Sequence, residues 1–173
     1  MRTRKPAKGR EPRGAPLSLA AVGLEAEFAL IVDGHQVRPE DLFEDPRGFV
    51  RAPLVHRRGT SYHLPTGGAI YFDTGVIELA TPIVEIERGC MVKAGRSLWS
   101  SLHFVRDELD AWEARTGRHA QLAGFSAHYN VSANGRGRGA RARLDALARL
   151  LTFILPAPVM LLAANRESTG VGV

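Results

Sequence analysis

Two glutamates, Glu25 and Glu27, interrupt an otherwise apolar or small run from Ala20 to Val32. The run is rich in strand formers toward its end and is closed by the turn pair Asp33-Gly34, which predicts a β-strand. Side chains alternate across a strand, so Glu25 and Glu27 project from one face while Leu24, Ala26, Phe28 and Leu30 project from the other. Like charges side by side on a half-buried surface repel, and burying them unpaired forces protonation or destabilises the fold. A divalent cation between them keeps both ionised. An isolated E-x-E pair fits a solvated polar face on an edge strand equally well, so the choice falls to the rest of the chain.

Two further stretches carry chemistry in the same alternating pattern. Ala69–Asp73 and Val76–Ala80, separated by Thr74-Gly75, read as a hairpin with a two-residue turn. In that register Phe72 faces Ile77 and Tyr71 faces Glu78, leaving an apolar face (Ile70, Phe72, Ile77, Leu79) and a polar one (Tyr71, Asp73, Glu78). Asp73 is either a proton acceptor or a hairpin-turn residue, and Tyr71 is assigned to packing. Gly124–Ser132 alternates again, with Ala127, Tyr129 and Val131 on one side and His128, Asn130 and Ser132 on the other. The Gly-rich stretch Asn134–Gly139 adds Arg136 and Arg138, as phosphate contacts or as solvated loop charge.

If the apolar faces share one covering layer, the polar faces converge on the opposite side of one sheet. That places Glu25, Glu27, Glu78, Asp73, His128 and Asn130 on a common surface. Three carboxylates and an imidazole suit Mg²⁺ or Mn²⁺, with water or substrate oxygens in the remaining positions. Zinc suits the set less well, because it lacks a cysteine and a close histidine pair.

These residues need elements to hold them. From about Val84 to Thr116, apolar residues recur at helical spacing (Ile86, Cys90, Ala94, Leu98, Leu102, Val105, Leu109, Trp112), and Gly117 is a fitting stop. Met91, Trp99 and Trp112 are assigned to the core. A second helix is predicted from Arg141 to about Leu155. Residues 40–67 are dense in turn and breaker signals and read as a long loop. Its Arg51, His56, Arg57, Arg58 and His63 are candidates for contacting an anion or are surface charge. The fold class expected is α+β: an antiparallel (mixed) sheet with one face packed by long helices and the other forming the metal site.

The 173 residues suit one domain with a tail, and 45% hydrophobic with 24% charged residues is ordinary for a globular chain. The net charge of +5 is located entirely in residues 1–14, where six basic residues face Glu11 alone; the remainder is neutral. Residues 1–16 are expected to be a disordered basic tail, and 17–173 the folded part. The lone Cys90 excludes an internal disulfide framework, and no segment approaches the length needed to span a bilayer, so a cytoplasmic location is expected. A neutral body without aromatic–basic interleaving argues against nucleic-acid binding.

Taken in order, GLEAEF, GGAIYFDTGVIELATP and SAHYNVS resemble the carboxylate–amine ligase superfamily of glutamine synthetases, glutamate–cysteine ligases and the Pup ligase/depupylase branch. The similarity covers roughly residues 20–132. It implies an active-site sheet that binds ATP, with Glu25, Glu27 and Glu78 as ligands of the divalent ions. His128 would contact a metal or the nucleotide phosphates, as would Asn130, with Ser132 and Arg136 beside the nucleotide and Asp73 as the catalytic base. The implied reaction is phosphorylation of a substrate carboxylate by ATP followed by attack of an amine. The substrates would be an amino acid, peptide or small protein pair. Members of that superfamily are longer, so the chain is expected to be an N-terminal portion whose site is completed by a homo-oligomer or partner chain. A non-catalytic, truncated homologue that binds nucleotide or assembles with a partner chain is the alternative.

Overall fold

The computed structural model describes residues 20–132 and 139–157, and it is built around strand β1, Ala21–Val32. Chain order continues with β2 (His35–Val37), α1 (Pro39–Phe43), a 3-10 turn (Pro46–Gly48), β3 (Val55–Arg58), β4 (Ser61–His63), β5 (Ala69–Asp73) and β6 (Val76–Ala80). Then come β7 (Val84–Glu85), α2 (Cys90–Thr116), β8 (Ala120–Val131) and α3 (Ala140–Ile154). The basic tail, Arg136 and Arg138 lie outside the described residues. No helix among the described residues is long and apolar enough to cross a membrane.

All the strand pairs are antiparallel, and the sheet curls into a half barrel. β8 pairs with β1 from Val22 to Val32. Since a strand has two edges, the other partners must share the second one. β7 pairs with Ala21 and Val22, β6 with Glu25–Ala29 and β2 with Leu30–Val32, so three short strands follow one another along that edge. From β6 the sheet extends outward through β5, β4 and β3. β1 is thus a central rail with a partner on both sides over most of its length.

Local chemistry fixes this register. Asp33-Gly34 and Thr74-Gly75 each have positive φ at both positions (53° and 82°, 48° and 97°), the conformation that matches a two-residue turn to the twist of its strands. Phe72 faces Ile77 and Tyr71 faces Glu78, as the hairpin pattern predicts. Past β6, Thr81 is tied to Leu24 twice: its N–H donates to the Leu24 carbonyl, and its hydroxyl accepts from the Leu24 N–H at 3.0 Å. Gly68 is needed where β5 begins, since a Cβ there would lie 2.6 Å from the Ala80 carbonyl oxygen and 2.9 Å from Ser101 Oγ.

The core lies between the apolar face of the sheet and α2. Leu30, Val32, Ile70, Phe72, Ile77 and Leu79 from the strands meet Val105, Leu109 and Trp112 of α2. Each such fully buried side chain contributes roughly 1.5–3 kcal/mol, and Leu109→Ala should cost about 3 kcal/mol. The segment 40–67 is not a loop: α1, the 3-10 turn, β3 and β4 occupy it, and Phe43, Phe49, Val50, Tyr62 and Leu64 are core residues. Its breakers are element starts, with Pro39 at the first turn of α1 and Asp45 accepting from the Arg47 N–H at the 3-10 turn.

The helical stripe is shorter than its spacing suggests. Val84 and Glu85 form β7 instead, Ile86 is exposed, and the helix starts at Cys90. Trp112 is buried, but Met91 and Trp99 are 47% and 63% exposed and are not core residues. The buried stripe runs through Ala94, Ser101, Val105, Leu109 and Trp112, and Trp99 falls off it. α3 forms where its apolar periodicity places it, but it buries none of its residues. Of the described helices α2 supplies most of the cover, with Phe43 of α1 beside it, and at the far end of β8 Tyr129 and Val131 remain 56% and 58% exposed.

Candidate functional site

Cross-strand register brings the acidic side chains together on the face away from α2. In one row His128 of β8 lies beside Glu25 of β1, which lies beside Ala80 of β6. In the next, Ser126, Glu27, Glu78 and Tyr71 stand side by side on β8, β1, β6 and β5. The small Ala80 leaves room for the Glu25 carboxylate to lean toward Glu78. One ligand atom each from Glu25, Glu78 and His128 lies within 4.8 Å of the others. The imidazole also bridges the glutamate pair, with Nδ1 3.5 Å from Glu25 Oε2 and Nε2 3.6 Å from Glu27 Oε1. Ser126 Oγ sits 3.3 Å from the same Nε2.

No lysine or arginine among the described residues forms an ion pair with Glu25, Glu27 or Glu78; the imidazole of His128 is the one basic group in contact. Glu78 is only 4% exposed. Burial pushes its carboxyl above the ordinary range, and the charges of Glu25, Glu27 and Asp73 push the same way against a stabilising hydrogen bond from Tyr71. Tyr71 donates its hydroxyl to Glu78 Oε1. Burial first, then that bond and the charges of Glu78 and Glu25, raise the phenol far above its usual value, so it remains a donor; only Arg57 opposes the rise.

The other sequence-predicted residues are distributed as follows. Asp73 shares the face and its charge reaches Glu78, but it is exposed, stands outside the close cluster and accepts from its neighbour Thr74 Oγ1 at 2.9 Å. Asn130 lies opposite Gly23 and is exposed. Ser132 closes the β1–β8 ladder: its Oγ accepts from the Ala21 N–H at 2.6 Å and its N–H donates to the Ala21 carbonyl. Arg136 lies outside the described residues. Tyr71, assigned to packing from its pattern, instead anchors a carboxylate. Its place opposite Glu78 in the hairpin register was the available signal.

The donor set fits a hard divalent cation. Octahedral coordination at about 2.1 Å sets neighbouring ligand atoms roughly 3 Å apart and opposite ones about 4 Å apart. The ligand atoms of Glu25, Glu78 and His128, within 4.8 Å of one another, lie near that range. Such an ion would offset the burial and the neighbouring acidic charges that together raise Glu78. No protein-family model matches the chain, and no characterised protein or solved structure does either.

Proposed function

We propose that the carboxylate face binds Mg²⁺ or Mn²⁺ and serves an ATP-dependent carboxylate–amine ligase. The observation that carries the metal is the meeting of Glu25, Glu78 and His128 ligand atoms within 4.8 Å, with no neutralising Lys or Arg ion pair among the described residues. The ATP and ligase chemistry rests on the ordered resemblance of the three strand motifs to that superfamily. Glu25, Glu78 and His128 hold the ion, Glu27 steadies the imidazole, and Tyr71 fixes the Glu78 carboxylate. The ion supplies charge neutralisation and in-line orientation for phosphoryl transfer. A substrate carboxylate takes the γ-phosphoryl group and ADP leaves. An amine then attacks the acyl phosphate, phosphate departs, and Asp73 takes the amine proton.

Calorimetric titration with Mn²⁺ tests the first half, comparing wild type with Glu25→Ala/Glu27→Ala and Glu78→Gln. Binding that is lost in both variants supports the site, and equal binding in all three removes it. ADP release with candidate amino acids tests the second half. A second reading, a nucleotide-binding chain whose site needs another polypeptide, draws on the outer edge of β8, which has no strand partner among the described residues. It predicts binding of Mn²⁺ and ATP without ADP release.

A further inference from the structure

We propose that a second copy of this chain covers the open end of β8, α3 of each copy seating in the wedge between α2 and β8 of the other in a two-fold dimer. The inference is independent of the metal site proposed above. The wedge follows from the path of α2. The helix starts beside β7, which pairs with Ala21 and Val22 on the edge of β1 opposite β8. Its later turns reach the start of β8, where Arg106 Nη1 donates to the Ala120 carbonyl at 2.7 Å and the Ala120 N–H donates to Glu113 at 3.0 Å. α2 thus crosses the sheet obliquely and diverges from β8 beyond Ala120. A cavity of about 480 Å³ opens between them, lined by Phe28, Trp99, Leu102, His103 and Leu122 among others, and Trp99 is 63% exposed there. Register sets Tyr129 and Val131 beside the buried Leu24 and Val22, on the apolar side of the sheet, yet both are more than half exposed. From Leu122 to Val131 this strip is about 30 Å long.

The chain also supplies an element that fits the wedge. α3 has 15 residues and is about 22 Å long. Leu144, Leu147, Leu151 and Ile154 recur at helical spacing on one face, opposite Arg141, Asp145 and Arg149. None of its residues is buried, and an unpacked helix of that length is marginal in water. Helices of this pattern lay an apolar face into an apolar groove. α3 follows β8 in the chain, yet Tyr129 and Val131 at that end of β8 stay uncovered. Each copy therefore carries one unfilled wedge and one unseated helix, and reciprocal exchange between two copies satisfies both. The exchange doubles the area of a single helix-in-groove contact, toward the roughly 1,200–2,000 Å² of a specific interface.

Sedimentation equilibrium of the full chain tests this, with Leu147→Asp in α3 and Tyr129→Asp in the wedge; Ile154→Asp and Trp99→Asp repeat the two arms independently. All four side chains are exposed in the single copy, so the variants should keep the fold, which far-UV circular dichroism checks. Wild type should be a dimer at micromolar concentration. Each variant alone should weaken dimerisation by about 10–100-fold, because it places an unpaired carboxylate in the apolar contact. Mixing an α3 variant with a wedge variant brings one intact wedge to one intact α3 and should restore part of the dimer. A monomeric wild type overturns the inference, and a shielded Trp99 fluorescence in that monomer assigns the wedge to the chain's own α3. A dimer that survives both α3 variants or both wedge variants, or that mixing does not restore, also overturns it and places the interface elsewhere.

Discussion

At the Val32 end of the β1–β8 ladder, Glu113 of α2 accepts from the Ala120 N–H at 3.0 Å, from Arg106 Nη2 at 2.5 Å and from His119 Nδ1 at 3.1 Å. Asp33 in the β1–β2 turn accepts from the His119 N–H and from Arg118 Nε, both at 2.9 Å. A few residues along the same two strands, Glu25 and Glu27 of β1 meet Glu78 of the neighbouring β6 and the His128 imidazole of β8. Burial acts upward on both Glu113 and Glu78. At Glu113 the Ala120 N–H, His119 and Arg106 overcome it and the carboxyl ends below its ordinary value, whereas at Glu78 neighbouring acids add to it. The first cluster is complete within the chain and ties helix to sheet. The second has one imidazole as its basic partner among the described residues, and in the function proposed above a cation completes it.

Added Mn²⁺ should make the largest difference between the two clusters. At a concentration of 100 times its Kd it should raise unfolding free energy by about 2.7 kcal/mol. Glu25→Ala should erase that gain in a thermal melt, and Glu113→Ala should leave it intact; a gain that survives Glu25→Ala breaks the contrast. Next in size, Glu113→Ala should destabilise the metal-free protein by about 1–2 kcal/mol, because it leaves the Ala120 N–H without its acceptor and takes from Arg106 one acceptor, leaving it Asp110 and the Ala120 carbonyl. Urea unfolding measures this directly. Glu78→Gln should do the opposite, stabilising the metal-free protein at pH 7 by up to about 1 kcal/mol while abolishing Mn²⁺ binding.

The smallest and most diagnostic effect is the pH slope. Glu113 and Asp33 have lowered pKa values in the fold, so their contribution is present above their unfolded values, near 4.5 and 3.8, and fades as pH falls through the folded ones. Glu78 has a raised pKa, so its contribution is full below 4.5 and is lost as pH climbs through the folded value. Urea midpoints of the metal-free protein should decline on both sides of a maximum, and Glu78→Gln should flatten the alkaline side only. A Glu78→Gln profile that still declines there assigns the slope to another group.

The candidate site was more legible in the sequence than the fold around it. Glu25, Glu27, Glu78 and His128 are each set by a period of two within a single strand, and turn chemistry at Thr74-Gly75 pins the Tyr71–Glu78 register. These are local signals, and long-range pairing had only to align them. What escaped were features decided by neighbours far away in sequence. Residues 40–67 look like a loop because their elements are short and their core residues, Phe43, Phe49 and Tyr62, are scattered among turn formers. Trp99 and Met91 look like core because helical periodicity does not say how wide a stripe the sheet covers. Tyr71 stands on the polar face of the hairpin pattern and reads as packing, and its hydroxyl acquires a role because Glu78 is buried beside it.

β1 also bears on how the molecule assembles. Its β2 partner lies within a few residues of chain, its β6 partner roughly fifty away, and β8 brings His128 to Glu25 across 103 positions. Closure of such distant contacts is slow, since the chain must lose loop entropy before the pairing repays it. The β1–β6 pairing, which spans about half the chain distance of β1–β8, can therefore form first, with Glu25, Glu27 and Glu78 adjacent and mutually repelling. The imidazole joins only when α2 has folded and β8 has docked. If the proposed site takes Mn²⁺, its capture should be a late event in folding, and its appearance in a stopped-flow refolding trace should lag the helical signal from α2.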